Sequence, residues 1–216
     1  ILGKDKNHLQ AMMALAGLAA SQNQNDKYVE WLEKAVKGHP NAIPPYTALT
    51  RYYLAKRDAR KALAMANEAV NTNPDSHEAL KLLGDTQTSL GDKAGAISTF
   101  IRLAQKADQS PDAFLQLALA QIADKKLKDA RSSLQKALQR QPNHIPSQET
   151  LIRLEMTENK PDAALHIARG QAARHRGRCA ARSSWLAAGR RRLGRLRRRR
   201  LPTLASRGLA AALRDA

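Results

Sequence analysis

The sequence predicts an all-α protein: an α-solenoid of antiparallel helix pairs, followed by an irregular or partly helical arginine-rich tail. Apolar residues recur three and four positions apart, the spacing that gives a helix one buried stripe. That pattern repeats every 34 residues between about residues 9 and 169, and at residue 170 the composition changes abruptly. A fixed period of this length indicates helical repeats that bury their apolar faces against their neighbours.

Residues 77–110 show the repeating unit most clearly. Their apolar spacing predicts two helices, with Gly91 and Asp92 as the turn between them. On the first helix Gly84 has no side chain, so we expect the second helix, which carries Phe100, to cross it closely.

Three columns of residues keep the 34-residue step along the chain. They are Leu15, Leu49, Leu83, Leu117 and Leu151; Ala62, Ala96, Ala130 and Ala164; and Pro40, Pro74 and Pro142, with Asp108 in the intermediate slot. This arrangement resembles the tetratricopeptide repeat over about residues 9–169. The sequence departs from the family pattern at Thr50, Ile152 and Tyr28, where small residues are usual.

The period divides the chain into consecutive repeats. They are 9–42, 43–76, 77–110, 111–144 and a partial repeat 145–169, preceded by the end of a truncated helix at 1–8. In the first repeat we expect a helix from Leu9 to Ala20, a polar loop from Ser21 to Asp26, and a second helix that buries Trp31. Prolines open the later repeats at positions 44–45, 111 and 146, since proline is tolerated in a first helical turn.

The net charge of +18 is concentrated at the end of the chain. Residues 170–216 hold 14 arginines and one acidic residue, Asp215, a net charge of +13, whereas residues 1–169 carry only +5. One interpretation is an arm that binds nucleic acid or an anionic surface. The other, which we favour, is out-of-frame translation of a GC-rich gene, which would make nucleic-acid binding an artefact of the tail.

The sequence offers no catalytic, metal or cofactor site. The six histidines do not pair at metal-ligand spacing, and we expect His39 and His144 to be exposed turn residues. Cys179, the sole cysteine, lies in the arginine-rich segment and has no disulfide partner. The glycines of "GDKAG" mark a helix turn and not a phosphate-binding loop.

In repeats of the family that the sequence resembles, the first helices line an inner, concave groove that meets a protein or peptide partner. By spacing, the groove residues of this chain are Thr47, Arg51, Lys81, Asp85, Thr88, Gln116, Glu149 and Arg153. The cations among them could bind carboxylates of a partner, or they could be ordinary solvated charges. Lys81 is followed one turn later by Asp85, whereas the carboxylate-clamp members that bind chaperone C-termini carry Asn.

The sequences of the repeats, for example "LAGLAASQNQNDKYVEWLEKAV" and "LQLALAQIADKKLKDARSSLQKAL", resemble those of the repeat lipoproteins of the bacterial PEP-CTERM/exosortase system. That resemblance implies a non-catalytic scaffold at the cell envelope, in a system for exopolysaccharide and protein sorting. Two other functions stay open: nucleic-acid or anionic-surface binding through the tail, and a regulatory module of an enzyme outside this sequence. The sequence leaves the partner and the oligomeric state undetermined.

Overall fold

The computed structural model describes residues 8–160, 162–167 and 169, and these residues form helices and turns without a β-strand. Nine helices are bounded as follows: α1 Leu9–Ser21, α2 Asn25–Gly38, α3 Ile43–Ala55, α4 Ala59–Thr72, α5 His77–Ser89, α6 Lys93–Lys106, α7 Pro111–Ala123, α8 Leu127–Arg140 and α9 Ile145–Thr157. They belong to a compact unit, 1–161, and residues 162–167, in a second unit of 162–216, are also helical. Residues 1–7 and the arginine-rich segment, with Cys179, lie outside the described residues.

The helices pack as consecutive antiparallel pairs, α1 with α2 through α7 with α8, and each pair packs on the next. Among the first helices of the pairs, α3 also contacts α5 and α7 contacts α9. Between the described second helices, α2, α4, α6 and α8, no contact of comparable extent exists. The unit therefore curves toward its first helices, and the predicted all-α solenoid is confirmed.

Left-handed backbone turns recur with the period of the sequence. Asn23, Arg57, Gly91, Lys125 and Asn159 all have positive φ, between 57° and 81°, and successive members are 34 residues apart. Each follows the end of a first helix, where a left-handed residue lets the chain reverse into the second helix. Only Gly91 avoids the Cβ penalty of this conformation, and its turn is one that the sequence predicted.

The core runs between the two helices of each pair. Gly84 permits a close approach of α5 and α6, because a Cβ at this position would lie 2.6 Å from two ring carbons of Phe100. Two expectations for the first repeat are wrong. The loop is shorter than Ser21 to Asp26, because α1 continues through Ser21 and α2 begins at Asn25. Trp31 is only partly buried, and the Nζ of Lys34 lies 4.6 Å from its ring centre.

Candidate partner-binding groove

A groove of about 910 Å³ lies along the first helices α1, α3 and α5, and we call it the inner groove. Its lining residues are Met13, Ile43, Pro44, Thr47, Ala48, Thr50, Arg51, Leu54, Glu78, Lys81, Leu82, Asp85, Thr86 and Ser89. On each helix the lining residues are mostly three or four positions apart, and residues with that spacing share one helix face. Apolar side chains thus form much of the groove surface, with charged side chains beside them.

Four of the eight predicted groove residues line this one groove: Thr47 and Arg51 on α3, and Lys81 and Asp85 on α5. The other four lie elsewhere on first helices. Thr88 is exposed and donates a hydrogen bond to the Gly84 carbonyl (2.8 Å), Gln116 is partly buried on α7, and Glu149 and Arg153 are exposed on α9.

The apolar residues of the inner groove were not predicted from the sequence. Met13 stands 34 residues before Thr47 and 68 before Lys81, in one repeat column. Ala48 and Leu82 form a second such column. Extending the columns of the predicted polar residues to apolar ones would have found these side chains.

The charged groups of the inner groove differ in how far each is compensated. The Lys81 Nζ lies 2.8 Å from the Asp85 carboxylate, one helical turn away, so these two charges largely neutralise each other. Glu78 accepts a hydrogen bond from the Ser76 hydroxyl (3.0 Å) in the first turn of α5. Its pKa is lowered by a backbone hydrogen bond and by that hydroxyl, as expected at a helix N-terminus.

Arg51 is the cation of the inner groove that has no ion-pair partner in the described part of the chain. It is exposed and forms no ion pair with any residue that the structure describes. Burial raises the pKa of Tyr28 on α2, and the positive charge of Arg51 opposes that rise. The Tyr28 ring lies 5.5 Å from that of Tyr52.

The hydroxyls of the three threonines that line the inner groove differ in their hydrogen bonding. The hydroxyls of Thr47 and Thr86 donate to the carbonyls of Ile43 (3.2 Å) and Leu82 (2.7 Å), one turn earlier. Thr50 is 1% exposed, and its hydroxyl has no hydrogen-bond partner within the described part of the chain. A buried hydroxyl without a partner costs free energy of folding.

We therefore expect Thr50→Val, which replaces the hydroxyl with a methyl group, to raise the free energy of unfolding by about 1 kcal/mol. Thr86→Val is the matched control, because it removes a hydroxyl of similar burial that does have a partner. That control should be neutral or destabilising. Urea unfolding followed by circular dichroism measures both, and equal losses in the two variants would show that the Thr50 hydroxyl is bonded.

The structure overturns the expectation that His144 is exposed. His144 is 9% exposed; its Nδ1 lies 2.7 Å from the Ser147 hydroxyl, and its Nε2 lies 3.2 Å from an oxygen of Asp112. An Asp–His–Ser contact normally suggests a nucleophile, yet Ser147 is 0% exposed in the first turn of α9. A substrate cannot reach that hydroxyl, so these contacts tie the start of α9 to α7.

A second groove, of about 610 Å³, lies between the second helices α6 and α8 with α7 as its floor, and we call it the outer groove. Phe114 and Leu117 form its apolar base, and Ser132 on α8 lies on its wall. Arg140 binds the Asp108 carboxylate there, with its guanidinium carbon 6.0 Å from the Phe114 ring centre. This groove provides a control surface on the second helices of the pairs.

Across residues 8–160, 162–167 and 169, no three His, Cys, Asp or Glu side chains are grouped to hold a metal ion. In the same ranges, no helix combines the length and apolarity that a membrane crossing requires.

Comparison with known proteins identifies the repeats. Two family models described as tetratricopeptide repeat match residues 47–113 and 112–144. Residues 47–144 therefore match tetratricopeptide repeats, within the range over which the sequence resembles that family. A sequence search found no match among curated proteins.

Solved structures share the fold at low sequence identity. The crystal structure of MamA protein is 17% identical, with a TM-score of 0.61 over 80% of this chain and 94% of that chain. The PilF protein of Pseudomonas aeruginosa is 17% identical, with a TM-score of 0.60 over 79% and 78%. YrrB, described as a TPR protein with an unusual peptide-binding site, is 17% identical, with a TM-score of 0.54 over 77% and 86%.

Proposed function

We propose that this chain is a non-catalytic scaffold that binds a protein or peptide partner in the inner groove. The observation that carries the proposal is the groove itself, in which apolar residues of α1, α3 and α5 lie next to one uncompensated cation. In a repeat array each repeat contacts only its neighbours, so inner-face residues can serve binding without disturbing the core. The peptide-binding site named for YrrB supports this kind of function for the fold.

The eight predicted residues would then contribute in two groups. Thr47, Arg51, Lys81 and Asp85 would contact the partner in the inner groove, whereas Thr88, Gln116, Glu149 and Arg153 would extend the contact along the first helices. An extended surface of modest contacts is typical of peptide recognition by helical arrays.

We further propose a cell-envelope setting, in a bacterial system for exopolysaccharide or protein sorting. The resemblance of the repeat sequences to the lipoproteins of the PEP-CTERM/exosortase system supports this setting. A nucleic-acid or anionic-surface function rests on the +13 charge of residues 170–216, and it predicts affinity that falls steeply with salt and is lost on truncation after residue 169.

Site-specific crosslinking in the cell of origin tests the scaffold function. A photoreactive amino acid at Thr47, in the inner groove, should form a covalent adduct with a partner protein, and Leu82→Arg should abolish that adduct by placing a charge on the apolar surface. The same amino acid at Ser132, in the outer groove, is the control and should not form the adduct.

An adduct at Thr47 that persists with Leu82→Arg would contradict binding in the inner groove. Mass spectrometry of the adduct tests the setting separately. A partner that functions only in the cytoplasm would contradict the envelope proposal and leave the scaffold function standing.

A further inference from the structure

We propose that the partner segment recognised by the inner groove is amphipathic and acidic, with an apolar side chain next to a carboxylate that binds Arg51. The inference rests on the proposed function and adds the chemistry of the ligand. The apolar side chain would lie among Met13, Ala48 and Leu82, and the carboxylate would reach the guanidinium at the border of the groove.

The charged side chains that line the groove indicate the sign of the charge that the ligand carries. Lys81 is paired with Asp85 at 2.8 Å, and Glu78 lies at the start of α5 with a hydroxyl donor at 3.0 Å. Glu78 has no cation partner, but the N-terminus of α5 stabilises its charge; Arg51 is the one cation of the lining that forms no ion pair with a described residue. A carboxylate at Arg51 can form two parallel hydrogen bonds, whereas a basic group there would meet repulsion.

The surroundings of Arg51 define the rest of the segment. Arg51 is exposed, so a carboxylate can reach its guanidinium, and the apolar side chains of the inner groove line the same surface. The arginine-rich segment of the chain is excluded as occupant on charge, because its +13 would be placed against a cation.

Peptide selection tests the inference directly. Random peptides displayed on phage are selected against the full chain and, in parallel, against Arg51→Glu, Leu82→Arg and Arg102→Glu. Arg102 is the control: it is an exposed arginine on the second helix α6 and lines neither the inner nor the outer groove.

We expect the wild-type pool to be enriched in Asp or Glu next to Leu, Ile, Met or Phe. Arg51→Glu should shift the enrichment from acidic to basic residues and weaken binding of the acidic peptides at least tenfold, the loss of about one charge-assisted hydrogen bond. Arg102→Glu should leave the pool unchanged.

The outcomes separate the two proposals. Peptides that depend on Leu82 but show no acidic preference would overturn the inference and leave groove binding standing. A pool rich in Arg or Lys would also overturn it and would point to the chain's own arginine-rich segment. A pool that Leu82→Arg does not change would count against groove binding itself. If the unliganded protein sediments as an assembly that Arg51→Glu dissociates, the occupant is a second copy and the inference fails.

Discussion

Gly84→Ala should destabilise the array by about 2 kcal/mol, although alanine is the better helix former. The new methyl group would lie 2.6 Å from the Cε1 and Cζ atoms of Phe100, whose side chain is 2% exposed. The ring cannot move away without displacing its buried neighbours, so α5 and α6 must separate. Urea unfolding measures the loss, and hydrogen exchange in α5 and α6 locates it.

Gly17→Ala is the matched control. Gly17 lies within α1 and has no atom within 4 Å of its added Cβ among the described residues. This change should stabilise the protein by up to about 1 kcal/mol, the helix propensity difference alone. Combining Gly84→Ala with Phe100→Leu should restore part of the stability that Gly84→Ala removes, since the smaller side chain makes room. If Gly84→Ala behaves like Gly17→Ala, the crossing is not limited by Phe100.

The predictability of this fold follows from its periodicity. Gly84, Leu83 and Ala96 could be placed because one buried stripe per helix and one step of 34 residues fix which positions face a neighbour. The turn at Gly91 could be identified because glycine marks a left-handed position. The equivalent turns at Arg57 and Lys125 carry no such mark, and only their spacing from Gly91 would have revealed them.

The polar residues of the inner groove could be predicted from spacing, but their charge pairing could not. The columns that contain Thr47 and Arg51 follow from the repeat position, which is a matter of spacing. That Lys81 is paired while Arg51 is uncompensated depends on which side chains meet within and between helices, and spacing does not determine rotamers or partners.

Polar contacts within the pairs were also missed, although they keep the period. The Thr99 hydroxyl donates to Gln87 at 2.8 Å, and the Ser133 hydroxyl donates to Gln121 at the same distance, one repeat later. Glu155 follows Gln87 and Gln121 at the same 34-residue step, and it accepts its hydrogen bond from the Arg131 guanidinium instead of from a hydroxyl. A sequence search restricted to apolar columns cannot find such contacts.

Arg131→Met should be the most damaging change at the end of the described array, with a loss of about 3–5 kcal/mol. The guanidinium of Arg131, on α8, binds the Glu155 carboxylate of α9 through Nε at 2.7 Å and Nη2 at 3.2 Å, and it also contacts Glu158. The Glu155 side chain is only 7% exposed, so removing the cation leaves a buried charge without its partner. Calorimetry or urea unfolding measures the loss.

Arg140→Met is the control, since its ion pair with Asp108 is far more exposed, at 36% and 55%. We expect that change to cost less than about 1 kcal/mol. Adding Glu155→Gln to Arg131→Met should recover much of the stability, because a neutral amide then occupies the column of Gln87 and Gln121. Equal losses in Arg131→Met and Arg140→Met would show that this ion pair does not hold α9.

Acid titration gives an independent measure of the same contact. Hydrogen bonds from Lys160 and Arg131 lower the pKa of Glu158. A carboxyl with a lowered pKa contributes stability that is present above its unfolded pKa, about 4.3, and is lost as the pH falls through the lower, folded value. Arg131→Met removes one of the two donors, so its stability should fall less steeply below about pH 4 than that of the wild type. Parallel acid profiles would mean that Lys160 alone lowers the pKa of Glu158.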